Sequence, residues 1–258
     1  MNLDPLNTTR EHAQELAVFC GGSMTNRNAA SRSLAQMAEA RELTRSELDE
    51  RRLIHRHAAA RGSADAFREI RTRLLDLGRG GNFVTQVASV SPGSGSSFVA
   101  RNLAAAFALD EAKSALLIDC NLRYPSQRAA LKIDAEHGGL IDYLEHPDRS
   151  IQQILYHTGI PRVRLIPAGD PRESSGEYFS SFRMRGLIVS LRSRYADRYL
   201  ILDGPALKGS PDARILSDLA DFVVIVAAYG KDSAADIEQA VAGLDQKKLA
   251  GVVFNHPP

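Results

Sequence analysis

The chain has 258 residues, 44% hydrophobic and 24% charged, enough to bury one large core or one core with a small extension. A formal net charge of +1 excludes any general attraction to nucleic acid or to broadly anionic partners. Two cysteines, Cys20 and Cys120, are too few for a disulfide framework and imply a reduced, cytoplasmic setting; the chain start has no basic-then-apolar signal pattern, and its longest apolar run, Phe222–Ala228, is too short to cross a bilayer.

The first eighty or so residues carry no strand signal. Arginines there, with no lysine, mix with nearly as many acids, as in Arg41–Leu53, which predicts exposed helices broken at Gly21-Gly22 and Arg61-Gly62. A firmer helix follows, with Ser63 as its cap, Phe67, Ile70, Leu74 and Leu75 as an apolar stripe to pack on the main domain, and Gly78 at its end. From Asn82 onward, strands alternate with helical patterns. The predicted strands are Phe83–Ser89, Ser114–Asp119, Arg162–Pro167, Tyr199–Asp203, Phe222–Ala227 and Gly251–Asn255. Between them, Val99, Leu103, Ala106 and Phe107 form one helical stripe; Met184, Leu187, Ile188, Leu191 and Tyr195 form another; and Ile237, Ala240, Val241 and Leu244 a third. This alternation predicts an α/β domain over residues 63–258, a mainly parallel sheet covered on both faces, preceded by a helical, partly flexible extension over residues 1–62.

In such a sheet the ligand crevice lies beyond the carboxyl ends of the strands. After the first strand comes Ser91-Pro-Gly-Ser-Gly-Ser-Ser97, where Gly93 and Gly95 allow backbone shapes that turn N–H groups inward and the next helix adds the positive end of its dipole. This is an anion seat. A phosphate loop of this kind ends Gly-Lys-Ser/Thr, whereas this chain has Gly95-Ser96-Ser97. After the second strand stands Asp119, then Asn121 and Arg123; after the fourth, Asp203 precedes Gly204-Pro205. Two strand-end carboxylates facing a phosphate loop suit a hydrated magnesium ion, a hard cation that takes oxygen ligands and shares them with phosphates. The seven histidines have no ligand spacing, His55 and His57 falling on different sides of a helix, so no zinc site is expected.

Together these residues resemble the cytoplasmic domain of the bacterial tyrosine autokinases of polysaccharide export, and more broadly the MinD/ParA group of deviant P-loop ATPases. The likeness begins at Asp65-Ala-Phe-Arg-Glu-Ile-Arg-Thr72 and passes through the loop Ser91–Ser97 to the A-prime stretch Leu116–Arg123. It continues through Gly139–Leu144, Leu165–Gly169, Ser180–Leu187, the Walker B strand Ile201–Pro205, Pro211-Asp-Ala213 and Gly251–Asn255. The resemblance implies a three-layer α/β/α P-loop NTPase-like fold that uses ATP and magnesium. It assigns nucleotide binding to Gly93, Ser94, Gly95, Ser96, Ser97, Phe98 and Arg123, the magnesium hydroxyl to Ser97, the base or metal carboxylate to Asp119 and the Walker B carboxylate to Asp203. Asp65, Arg68 and Arg71 match the family's subunit-contact motif, which implies a homo-oligomer. A transmembrane polysaccharide co-polymerase, a chain-length regulator, is the implied partner, placing the chain in the cytoplasm at the inner face of the plasma membrane. No nucleic acid is expected.

Three departures weigh on activity. Ser96 replaces the loop lysine, and losing one preorganised charge donor costs on the order of 3 to 4 kcal/mol, roughly a hundred- to thousandfold in rate. Asn121 replaces the second acid of the A-prime motif, so the two changes cancel in formal charge. The last tyrosine is Tyr229, where family kinases carry a C-terminal tyrosine cluster. The first reading is therefore a degenerate, non-catalytic regulator or adaptor of exopolysaccharide export. An active ATP-dependent tyrosine autokinase comes second, and a MinD/ParA-like positioning ATPase third. Arg101, Arg123 and Lys208 are the cations that could stand in for the lysine, Arg123 first among them.

Overall fold

Strands buried at every position on both faces belong in the middle of a covered parallel sheet, and four of them here have that pattern. The computed structural model describes residues 41–56, 61–173 and 175–256. The helices expected before residue 41, with Gly21-Gly22 and Cys20, and also His57, lie outside the described residues.

In chain order the elements are α1 (Arg45–Glu50), α2 (Arg61–Gly78), β1 (Val84–Ser89), α3 (Ser96–Ala108), β2 (Ser114–Asp119), α4 (Gln127–Ala130) and α5 (Leu140–Glu145). A 3-10 turn (Ile151–Ile154) leads to β3 (Tyr156–His157), β4 (Val163–Ile166), α6 (Gly176–Ser180) and α7 (Phe182–Arg194). The rest are β5 (Arg198–Asp203), α8 (Asp212–Ser217), β6 (Phe222–Ala228), α9 (Ala234–Ala242), a second 3-10 turn (Gln246–Lys248) and β7 (Leu249–Asn255). Among the described residues no helix is long and apolar enough to cross a membrane.

The sheet runs β3-β4-β2-β5-β1-β6-β7 and is parallel except for β3, which pairs antiparallel with β4 at one edge. The six expected strands are all present, with ends shifted by one or two residues; β5 starts at Arg198 and β7 at Leu249. β3 is an addition to the expected set, since two residues carry no alternation to read.

Alternation along β2 divides the core. Ala115 and Leu117 face a cluster with Phe67, Leu74, Leu103 and Phe107 from α2 and α3, while Leu116 and Ile118 face Leu140, Met184, Leu187 and Leu191 from α5 and α7. Under α3, Phe107 stacks on Tyr199 at 4.5 Å between centroids, and Phe83 meets both rings edge-on. Gly78 closes α2 because a Cβ there would stand 2.4 Å from the Phe83 ring. The helix begins at Arg61, so Ser63 sits inside its first turn rather than at its cap. At the other edge, Arg73 donates from Nε to the Ala250 carbonyl at 2.7 Å and a register irregularity at Val223/Val224 breaks the ladder, both of which discourage pairing with another strand.

Residues 41–56, which the sequence assigns to the extension, are seated on the domain. α1 opens with a Thr44/Glu47 capping box, and Leu53 and Ile54 are buried in the α3 core. The fully buried Asn102 ties this strap down: its Oδ1 accepts from the Ile54 N–H at 2.7 Å and its Nδ2 donates to the Arg52 carbonyl at 3.0 Å. Arg51 reaches the Leu131 carbonyl, and the Leu43 N–H the Gly159 carbonyl. Asn102→Ala leaves the Ile54 N–H unpaired in a dry site. It is expected to cost about 1 to 3 kcal/mol in urea denaturation and to make the strap the first site of limited proteolysis; unchanged cleavage would sink that assignment.

Candidate functional site

β1, β2 and β5 end side by side, with Val87 and Asp119 both in register with Asp203, so the residues following each strand converge. The loop after β1 turns twice in the left-handed region, at Gly93 (φ +80) and at Gly95 (φ +95), the N-cap of α3. A side chain at Gly95 would also put its Cβ 2.2 Å from Asn255 Nδ2, which donates to the Ser94 carbonyl at 3.1 Å. Gly95 is thus demanded by both backbone and space. The cap makes no side-chain hydrogen bond to the helix, and α3 presents its first N–H groups and its positive end to the opening.

A cleft of about 720 Å³ opens there, lined by Gly93, Gly95, Ser96, Ser97, Phe98 and Arg123 of the expected site. Ser94 faces inward instead. It is fully buried, and its hydroxyl lies 2.7 Å from Asp232 Oδ2 and 2.9 Å from the Ser91 carbonyl, its one proton shared between these acceptors, bracing the loop from behind.

Asp119 and Asp203 are fully buried neighbours beneath the cleft. Both oxygens of Asp119 are taken by backbone N–H groups: Asn121 at 3.2 Å on one, Ser126 at 3.0 Å and Gln127 at 2.9 Å on the other. Asp203 accepts from Gln127 Nε2 at 2.6 Å on Oδ2, while Oδ1 has no hydrogen-bond partner. The same Gln127 amide donates to the Ser97 carbonyl at 2.9 Å, linking the carboxylates to the helix start. Burial pushes Asp203 up to about 7, reinforced by the Asp119 charge and opposed by Gln127, Ser97 and Arg101. Asp119 rises by burial to about 6, held back by its three backbone donors. Burial also raises the Cys120 thiol, which is enclosed beside them.

The donors fit a magnesium ion in part. The Ser97 hydroxyl and the unpartnered Asp203 Oδ1 are the oxygens that could hold it most directly, whereas Asp119 already accepts two N–H groups on Oδ2 and one on Oδ1. For phosphates, the backbone cradle is present and the lysine is absent.

Three cations line the cleft. Arg123, the first choice from sequence, donates from Nη2 to the Glu173 carbonyl at 2.7 Å. Lys208 is paired with Asp236 at 2.6 Å. Arg101 makes no hydrogen bond or ion pair among the described residues; its guanidinium lies 5.4 Å from the Phe98 ring centre and its Nε is buried without a partner.

The Asp65, Arg68, Arg71 series divides. Asp65 and Arg68 pair with each other at 2.6 Å on the surface, while Arg71 turns inward and donates to the Ala106 carbonyl at 2.8 Å. Sequence reading missed Gln127, Asp232, Asn255 as a loop brace, and Lys231, which donates to the Pro92 carbonyl. Inspecting the turn after β6, as after the other strands, finds Lys231 and Asp232; no motif announces Gln127.

No family model matches the chain. It is 30% identical over 194 residues to the tyrosine-protein kinase Wzc of Salmonella typhimurium, covering 74% of this chain and 26% of that protein. The chain spans about a quarter of the length of the curated relatives it matches at this level. Among solved structures, the kinase domain of Escherichia coli tyrosine kinase Etk superposes with a TM-score of 0.70 at 24% identity, covering 84% of this chain and 87% of that one. The cell division ATPase MinD of Pyrococcus furiosus superposes with a TM-score of 0.55 at 20% identity, covering 68% and 76%. Both share the fold.

Proposed function

Since the chain belongs to the bacterial tyrosine autokinases, a branch of the deviant P-loop NTPases, we propose that it serves as a non-catalytic regulator or adaptor in exopolysaccharide biosynthesis. It would act on a membrane polysaccharide co-polymerase at the inner face of the plasma membrane. The observation that carries this reading is Ser96 on the wall of a cleft where a kinase needs its loop lysine, with Lys208 paired to Asp236 and Arg123 drawn to Glu173.

ATP with magnesium would supply the phosphoryl group in a working kinase; here Ser97 and Asp203 would hold the ion and the loop backbone the phosphates. The unpartnered Asp203 Oδ1 favours the second reading, an active autokinase. Asp65 and Arg68, an exposed acid and base, are the groups left on α2 for self-association. Pull-down of a co-polymerase, rather than of a DNA- or septum-positioning protein, would separate the first reading from a MinD/ParA-like role.

Incubating the full chain with magnesium and γ-labelled ATP, alone and with a tyrosine-containing polymer, is expected to leave protein and polymer unlabelled. Label accumulating on either with turnover removes the adaptor reading.

A further inference from the structure

Side chains on an α-helix lean toward its N-terminus, so a residue one turn into α3 covers the mouth of the loop rather than its own level. Arg101 stands four positions after Ser97, on the same face, and lines the cleft with it. It is the cation there that no carbonyl or carboxylate among the described residues holds. Its charge is felt by the Asp203 carboxylate, yet the two form no ion pair: Nε of one and Oδ1 of the other both stand without a partner. A cation with no hydrogen bond or ion pair and a carboxylate with one oxygen left over, both close to the start of α3, suit a ligand that is an anion toward the first and carries a cation toward the second. A magnesium–phosphate group has both properties.

Resting on the non-catalytic reading above, we propose that Arg101 replaces the charge missing at Ser96, so that the cleft grips the phosphates of a nucleotide and retains them. An arginine differs from a loop lysine in the way this requires. Its planar fork can clamp phosphate oxygens, but it starts one helical turn away from the loop, where the transferring group of a kinase would not sit. Binding survives while stabilisation of transfer does not. The guanidinium itself lies over the Phe98 ring, 5.4 Å from its centre, a cation–π contact that leaves its N–H groups open to a phosphate.

Titration calorimetry of the full chain with ATP, ADP and adenosine, each with magnesium, tests this. ATP and ADP are expected to bind, adenosine far more weakly, and ATP affinity to fall steeply with salt. Arg101→Met, which keeps the stem, is expected to weaken ATP binding at least about tenfold, and Arg101→Lys to restore most of it. ATP affinity equal in Arg101→Met and the unaltered chain overturns the assignment, as does ATP binding no tighter than adenosine. If Arg101→Met fails to melt cooperatively, the salt series on the unaltered chain decides, since an affinity indifferent to salt excludes a charge clamp. Labelled phosphate transferred to protein, with Arg101-dependent binding intact, would remove the non-catalytic reading and leave the clamp in place.

Discussion

Ser96→Lys is expected to raise phosphoryl transfer to an added tyrosine polymer by about a hundred- to a thousandfold over the unaltered chain. Ser96 is the first residue of α3 and lines the cleft beside Ser97, so a lysine there would start from the position where charge develops rather than one turn behind it. One preorganised donor at such a point accounts for on the order of 3 to 4 kcal/mol of barrier. The introduced ammonium and the Arg101 guanidinium would then line the same cleft and repel each other across it, so the double change Ser96→Lys with Arg101→Met is expected to transfer at least as fast as the single one. A rate indistinguishable from the unaltered chain in both variants would place the defect elsewhere, at Asn121 or at Asp119, which three backbone N–H groups hold in place.

Asp203→Asn is expected to stabilise the fold strongly in alkali and hardly at all in acid. The carboxyl has an ordinary value of 3.8 in the open chain and about 7 when folded, because burial and the neighbouring Asp119 charge disfavour its ionised form. The folded state therefore holds the extra proton between these values, and linkage makes this group's contribution to stability fall as pH rises from about 4 to about 7, then level off. An asparagine carries no charge to bury and can still accept from Gln127. By urea denaturation the gain at pH 8 should be on the order of 2 to 4 kcal/mol, shrinking toward zero at pH 4. An equal shift at both pH values would mean that the effect comes from packing, not from charge.

The strands were open to reading because apolar runs such as Leu116–Ile118 and Leu200–Leu202 are continuous and end in single acids. The loop was legible because Gly93 and Gly95 sit where only glycine is comfortable. Docking of the strap was not. Its buried apolar residues are Leu53 and Ile54, with Leu43 and Leu48 packed partly against them and His55 buried beside them, scattered among arginines and glutamates that read as a solvated face. β3 is too short to show a period. Choosing among Arg101, Arg123 and Lys208 needed their partners, Glu173 and Asp236, which lie 50 and 28 positions away along the chain. Gln127 is an ordinary amide in sequence and becomes a bridge only when β5 and α3 meet around it.

Asn102 and the two hydrophobic residues it anchors bear on where this protein is divisible. A fragment excised from residue 63 onward, the segment that similarity alone would choose, leaves a greasy trough along α3 and an Asn102 amide that keeps only its bond to the Phe98 carbonyl. Such a fragment would be sticky at the turn of helix next to the glycine bend. A clone beginning at residue 41 carries its own cover for that trough.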